Sequence, residues 1–306
     1  MSIQDSAHDH TELRTFHAHE DESVNFVRPA VGGYLEARYV RRTDGYFIAY
    51  VSSQAGCDRA CRFCHLTATG QTSMAQTSID DYVGQVADVL GHHRAQAIRP
   101  SRMNMNFMAR GEPLLNPVLH SRDAWSEMTS RVRTHALTAG VDRVLMNVST
   151  IMPAMPDGTA WPNLNSIMTD TDTTLYYSLY SMDPSFRRRW IPKSVDPRAA
   201  LRTLTAWQDA TGNEVALHWA FIEGENDSIE TIRDVIAAVR DAGLKPKFNA
   251  VRFNPPEGSR FREPDEHVVE RNFAMLAEAF GHPSSRIVPR VGLSVKASCG
   301  MFVGGR

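Results

Sequence analysis

The sequence has few cysteines, no long apolar run and almost no net charge, and each shortage excludes something. Four cysteines in 306 residues are too few for a disulfide framework. No apolar stretch reaches the roughly 20 residues needed to span a bilayer. A formal net charge of −2 provides no global basic field for nucleic acid. Local basic spots at Arg41-Arg42, Arg131 with Arg133, and Arg187-Arg188-Arg189 read as solvated faces. Residues 1–30 lack the apolar core and cleavage site of an export signal, so a cytoplasmic location and no membrane partner are expected. The length suits one large α/β domain or two small ones.

What is present is concentrated. Three of the four cysteines fall in Gly56-Cys57-Asp58-Arg59-Ala60-Cys61-Arg62-Phe63-Cys64-His65, a C-x3-C-x2-C spacing. Three thiolates on one loop can hold three irons of a [4Fe–4S] cube and leave the fourth iron open. An open iron can grip S-adenosylmethionine (SAM) through its amino and carboxylate groups and split it by one-electron reduction. Two rivals remain at this level. Cys61-Arg62-Phe63-Cys64-His65 matches the C-x-x-C-H of haem attachment, although that leaves Cys57 unexplained. Three cysteines with His65 could instead bind zinc, although no second C-x-x-C knuckle exists.

Residues 1–30 read as a polar, mobile tail. His8, His10, His17 and His19 beside Glu20, Asp21 and Glu22 could chelate a metal, but a disordered polar arm is the simpler reading. Residues 31–306 read as one core of short apolar strands alternating with amphipathic helices, the pattern of parallel βαβ units. Strands are expected at 46–51, 103–108, 143–148, 174–179, 215–221 and 247–253, with a short last one at 286–291. Helices are expected at 78–90, 124–139, 197–211, 228–242 and 265–280. About six strand–helix units predict an α/β fold, a partial TIM-type (β/α)6 barrel with a short N-terminal extension. Reactive groups in such barrels gather at the carboxyl ends of strands. Cys57, Gly111-Glu112-Pro113, Ser149, Ser178 and Asn254 all fall there.

Six segments then resemble one family in register. Val51-Ser52-Ser53-Gln54-Ala55-Gly56-Cys57, with Cys61 and Cys64, resembles the cluster loop of the RlmN/Cfr radical-SAM methyltransferases. Gly111-Glu112-Pro113-Leu114-Leu115-Asn116 is similar to its GEPLLN segment, and Arg187 to Pro192 to its R-x-x-x-x-P stretch. Gly224-Glu225-Asn226-Asp227-Ser228, Asn254-Pro255-Pro256-Glu257-Gly258-Ser259 and Ala297-Ser298-Cys299-Gly300 resemble three later motifs. The resemblance covers roughly residues 35–302. It implies a radical-SAM barrel that methylates an adenine-type base in RNA, with Cys57, Cys61 and Cys64 on the cluster and Phe63 packed beside it. Gly111 and Glu112 would meet the SAM amino group, Ser149 and Ser178 its polar edges, and Asn254 its adenosine. Cys299 would accept a methyl group from one SAM; a radical from a second SAM would activate that methyl for addition to the base. Glu36 lies near the family's acid–base glutamate. Flavodoxin or ferredoxin would supply the electron.

The chain also departs from the family. The family's second cysteine, which takes a proton from the adduct and closes a disulfide, is Tyr50 here. A tyrosine hydroxyl is a weak base at neutral pH and forms no disulfide. A histidine usual in the family is Tyr180. The acidic pair before the last cysteine is missing, and only about 35 residues precede the matching core. These departures keep a second expectation open: modification of a nucleotide or other small molecule on the same scaffold.

Overall fold

The structure, a computed structural model, describes residues 12–155, 158, 161, 163–170 and 172–303. Its frame is one ten-stranded sheet whose strands lie side by side in chain order. β1 (Arg14–His17), β2 (Val24–Ala30), β3 (Gly33–Thr43) and β4 (Tyr46–Tyr50) pair antiparallel. From β4 onward every pairing is parallel, through β5 (Arg102–Phe107), β6 (Arg143–Thr150), β7 (Thr173–Tyr177), β8 (Val215–Ala220), β9 (Lys247–Val251) and β10 (Arg286–Val288). Among the described residues the two ends of the sheet, β1 and β10, are not paired with each other, so the barrel has a seam where β10 faces the β3–β4 pair through side chains, Arg286 Nη1 lying 3.3 Å from Tyr46 OH.

Parallel neighbours need a crossover, and helices supply it. After a single-turn helix α1 (His65–Ala68) come α2 (Ile79–Arg94), α3 (Arg122–Thr138), α4 (Leu164–Ile167), α5 (Pro184–Trp190), α6 (Pro197–Thr211), α7 (Ile229–Asp241) and α8 (Glu266–Phe280). The start of α2 is a capping box: Ser78 Oγ accepts from Asp81 N at 3.1 Å, and Ser78 N donates to Asp81 Oδ2 at 2.9 Å. α6 agrees with its sequence expectation and ends at Gly212, whose φ of 70° suits a left-handed cap. α2 runs through Gly91, where the sequence predicts a stop, because His93 in the turn beyond is buried. The His93 ring stacks on Phe47 with centroids 4.1 Å apart, which outweighs the roughly 1 kcal/mol a mid-helix glycine costs. The main core lies between sheet and helices, with Trp125, Trp190, Trp207 and Trp219 fully buried.

Two expectations change. The polar arm drawn over residues 1–30 contains β1 and β2, with Val24, Phe26 and Val27 buried. Its carboxylates tie to the other end of the chain: Glu20 Oε2 accepts from Ser294 Oγ at 2.6 Å and Asp21 Oδ2 from Gly292 N at 2.8 Å. His8 and His10 lie outside the described residues. Among the described residues no cluster of His, Cys, Asp or Glu converges on one metal ion, so His17, His19 and their acidic neighbours form no chelating set. The basic run at 187–189 is also not a solvated face throughout. Arg187 is buried and donates to the Leu179 carbonyl at 2.8 Å and to Ser194 Oγ at 2.8 Å.

Candidate active site

The cysteine loop leaves the carboxyl end of β4 and folds over the barrel mouth. Cys57 N donates to Gln71 O at 3.0 Å and Arg62 N to Trp190 O at 2.9 Å. Ala60 turns the loop with a φ of 59°, and Cys64 caps α1. All three thiols are free and line one open cavity of about 810 Å³. Burial pushes the Cys57 thiol up to about 12, Cys64 up to about 11 and Cys61 well above its ordinary value. Backbone N–H groups of Arg59 point at the Cys57 sulfur, and those of Leu66 and Thr67 at the Cys64 sulfur. Three thiols on one cavity wall, two of them with N–H donors on their sulfurs, fit an iron–sulfur cluster, whose sulfurs take such bonds. A single zinc ion fits less well. His65 directs Nε2 at the Asn254 carbonyl, 3.4 Å away, so it does not serve as the fourth ligand beside the three thiols.

The loop after β5 forms the next wall. Gly111 has a φ of 94°, and a Cβ there would strike Gln54 Oε1 and lie 2.8 Å from Gln54 N; only glycine fits. That close approach lets Gln54 Oε1 accept from Glu112 N at 2.7 Å. Glu112 is buried, caps the next turn through Leu114 N at 3.2 Å, and accepts from Ile151 N at 3.1 Å. Burial raises its pKa to about 7; an ammonium placed beside it would favour the carboxylate. Ser149, Ser178 and Phe63 line the same cavity. The Phe63 ring stacks on Tyr180 at 4.6 Å between centroids. Tyr180 and Met152 hold positive φ of 60° and 54°, a cost of roughly 1–2 kcal/mol per residue at the rim of the site. Strain of this kind collects where a surrounding structure imposes a functional shape.

Cys299 arrives from the far end of the chain. Its carbonyl accepts from Asn254 Nδ2 at 2.9 Å, and the Gly300 carbonyl accepts from His65 N at 3.0 Å. Its Sγ lies 3.9 Å from His218 Nε2 on β8. Burial raises the Cys299 thiol pKa. Desolvation, then the charges of Arg42 and Arg286, lower the His218 pKa to about 4, so the ring is neutral at pH 7. Asn254 does not line the cysteine cavity. Its side chain braces the Cys299 loop and accepts from Arg290 Nε at 2.9 Å.

Glu36 requires a correction. It does not line the cavity and is fully buried. Its Oε1 accepts from Arg110 Nη2 at 2.6 Å and from Val303 N at 3.0 Å; its Oε2 accepts from Arg38 Nη2 at 2.9 Å and Asn25 Nδ2 at 3.2 Å. A carboxylate so occupied has no lone pair aimed at a substrate, so Glu36 is a structural anchor. Arg38 also donates to Met301 O at 2.6 Å and Ala297 O at 3.2 Å, so this buried ion network clamps the segment that carries Cys299. Sequence reasoning missed Arg38, Arg110 and His218. The inward parity of residues 216, 218 and 220 on β8 was the available signal for His218.

A second, lateral cavity lies in the barrel interior and reaches the seam where β10 faces the β3–β4 pair. It shares Met108, His218, Val251 and Cys299 with the cysteine cavity. Cys299 therefore stands at the junction of the two. Tyr50 lines the lateral cavity, with its hydroxyl 3.5 Å from Arg42 Nη2.

No family model matches the chain. The dual-specificity RNA methyltransferase RlmN of Halorhodospira halophila is 28% identical over 289 residues, 91% of this chain and 72% of that protein. The probable dual-specificity RNA methyltransferase RlmN of Synechococcus sp. (strain CC9311) is 30% identical over 269 residues, covering 85% and 70%. The RlmN of Bdellovibrio bacteriovorus is 26% identical over 82% of this chain, which spans only 58% of that relative. Among solved structures, a radical SAM methyltransferase from Sphaerobacter thermophilus has a TM-score of 0.73 at 21% identity, covering 95% of this chain and 81% of that one. Methylornithine synthase (PylB) has a TM-score of 0.50 at 13% identity, covering 78% and 63%. Those two likenesses show the radical-SAM barrel fold. The relatives' identity and coverage, with three thiols at the mouth of such a barrel, place the chain in the RlmN/Cfr family of radical-SAM methyltransferases, enzymes that use a [4Fe–4S] cluster and SAM.

Proposed function

We propose that this enzyme methylates an adenine-type base of RNA, with Cys299 as the carrier of the carbon. The observation that carries the reading is the position of Cys299, on the wall shared by the cysteine cavity and the lateral cavity. Bound to Cys57, Cys61 and Cys64, the reduced cluster would supply the electron that splits SAM into methionine and a 5′-deoxyadenosyl radical.

The chain's own residues support the steps around that chemistry. Glu112 would hold the SAM ammonium, since a buried carboxylate needs a cation, while Ser149 and Ser178 would bond the polar edges. Gly111 lets the backbone come close. Phe63, stacked on Tyr180, would shield the cavity from water. When the Cys299 sulfur attacks the methyl carbon of SAM, a new C–S bond makes a thioether, the methyl–sulfonium bond breaks, S-adenosylhomocysteine leaves, and the thiol proton must go elsewhere. Neutral His218 Nε2, 3.9 Å away, is placed to accept that hydrogen. Asn254, Arg38 and Glu36 would position the Cys299 loop and touch no reacting atom. The electron donor would be a flavodoxin or ferredoxin, in keeping with a reducing, cytoplasmic setting for free thiols. Residues from β1 onward would form a single domain, since β1 and β2 belong to the same sheet as the barrel.

A second reading has its own observation. Tyr50 stands in the lateral cavity where the resembled family has its second cysteine, so release of a Cys299 adduct by disulfide formation is closed to this chain. Modification of a nucleotide or another small molecule, without the full methyl-cysteine cycle, would avoid that step. Intact-protein mass spectrometry after anaerobic reconstitution with SAM tests the first reading. Cys299 should gain one methylene-sized mass, and Cys299→Ala should not. If the wild-type mass stays unchanged while 5′-deoxyadenosine forms, the carrier role is wrong and the second reading stands.

A further inference from the structure

The lateral cavity is lined by five arginines and by no carboxylate. Three of the five are already neutralised from behind. Arg38 pairs with Glu36 at 2.9 Å, Arg252 with Glu266 at 2.6 Å, and Arg290 with Glu263 at 2.9 Å. Arg42 and Arg286 differ. Among the described residues neither has a carboxylate partner, and their side-chain contacts are tyrosine hydroxyls: Tyr50 at 3.5 Å from Arg42 and Tyr46 at 3.3 Å from Arg286. Arg42 Nε is buried without any partner. The two come from opposite sides of the seam, Arg42 from β3 and Arg286 from β10. Both lie near enough to His218 for their charges to act on its ring.

Other polar atoms in this cavity also lack partners. Asn104 Oδ1, Asn249 Oδ1 and His218 Nδ1 are buried and unbonded within the protein, and Asn249 is only 3% exposed. Buried polar groups are normally satisfied, so several orphans around one space signal a missing polar partner. Arg286 is exposed and Arg42 half-buried, so water reaches both; without a carboxylate beside them they can still take an anion, and their planar forks match phosphate oxygens in pairs. The orphan asparagine oxygens ask for N–H or O–H donors, as an exocyclic amine or ribose hydroxyls supply.

We propose that the lateral cavity seats the phosphate of a nucleotide unit between Arg42 and Arg286, with the base directed along the asparagine-lined wall toward Cys299. The direction of the base rests on the reading of Cys299 as carbon carrier; the anion seat does not. The phosphate belongs either to a free mononucleotide or to one residue of an RNA strand entering at the seam.

The test is calorimetric binding to the anaerobically reconstituted holoenzyme, using AMP, adenosine and a short adenine-bearing RNA oligonucleotide. AMP should bind at least about tenfold more tightly than adenosine, the effect of one or two charge-assisted hydrogen bonds. Arg42→Ala and Arg286→Ala should each remove that preference, leave adenosine binding unchanged and keep the cluster absorbance. Arg42→Lys should retain part of it. An oligonucleotide that binds more tightly than AMP, loses affinity in both variants and weakens with salt beyond the slope of about 0.7 expected for one phosphate of a single strand identifies RNA as the source. AMP binding as tightly as the oligonucleotide identifies a free nucleotide. The seat is overturned if neither AMP nor the oligonucleotide shows affinity that depends on Arg42 and Arg286, or if no probe binds. Mass analysis of Cys299 in the same samples separates the two readings. An unmodified Cys299 with the phosphate preference intact would remove the proposed methyl carrier and leave the seat in place.

Discussion

Arg38 and Arg42 sit four residues apart on β3 and line the same cavity, yet one is closed off and the other open. Arg38 is 2% exposed, pairs with Glu36 and donates to carbonyls of the Cys299 segment. Arg42 meets only a tyrosine hydroxyl, and its Nε has no partner. Charge that is neutralised inside the fold holds structure together; charge left uncompensated beside a cavity is available for a ligand. The same contrast separates the two cavities. On the wall of the cysteine cavity, Glu112 N donates to Gln54 Oε1 and the Glu112 carboxylate accepts from Ile151 N. On the wall of the lateral cavity, Arg42, Asn104 and Asn249 have bonds to spare.

The contrast can be broken at several points, beginning with the closed side. Cys61→Ala should lose the iron–sulfur absorbance and all 5′-deoxyadenosine formation, because two thiolates on the loop no longer define three corners of a cube. Iron analysis and product chromatography read the result, and SAM cleavage that survives would contradict the ligand assignment. Next in size is Glu36→Ala. It strands the Arg38 and Arg110 guanidiniums, both fully or almost fully buried, and should cost about 3–5 kcal/mol in denaturant unfolding. Alkylation of Cys299 should quicken in the same variant as its clamp loosens. Full stability would show that Arg38 and Arg110 find other partners.

On the open side the effects on stability shrink. His218 titrates near 6.5 when unfolded and near 4 when folded. Between those values the unfolded chain binds the extra proton, so stability should fall as pH drops from about 6.5 to about 4, by at most about 3 kcal/mol. Denaturation midpoints at pH 7 and pH 4.5 should differ less in His218→Gln than in the wild type, and equal shifts would argue that the ring is solvated in the fold. Smallest of all, Arg42→Ala should change stability by less than about 1 kcal/mol, since it breaks no ion pair. A loss as large as that of Glu36→Ala would mean that Arg42 belongs to the clamp and the two regions are not distinct.

Much of the site was legible because its signals are local. Cys57, Cys61 and Cys64 lie within one loop and Gly111-Glu112 within one turn, and all line one cavity as the motifs imply. Helix α6 could be read from Asp196, Pro197 and Gly212, since caps and punctuation act within a few residues. β1 and β2 were not legible. Their polar flank, with Glu20, Asp21 and Glu22, looks like a solvated arm until Ser294, Gly292 and Arg41 arrive to pair with it. Glu36 was misread for the same reason, because its partners at Arg110 and Val303 are distant in sequence.

From the sequence alone came three thiols spaced for a cluster, a Gly111-Glu112 pair at a strand's carboxyl end, and a run of strands and helices that makes a barrel. Each depends on atoms only a few bonds apart along the chain, or on a repeating pattern of apolar residues. Tertiary structure decided which charges are quenched and which stay open, and it brought Cys299 to the wall between two cavities. Those outcomes depend on electrostatic partners and close approaches between segments far apart in the chain, and only the curled sheet and its seam bring them within bonding distance.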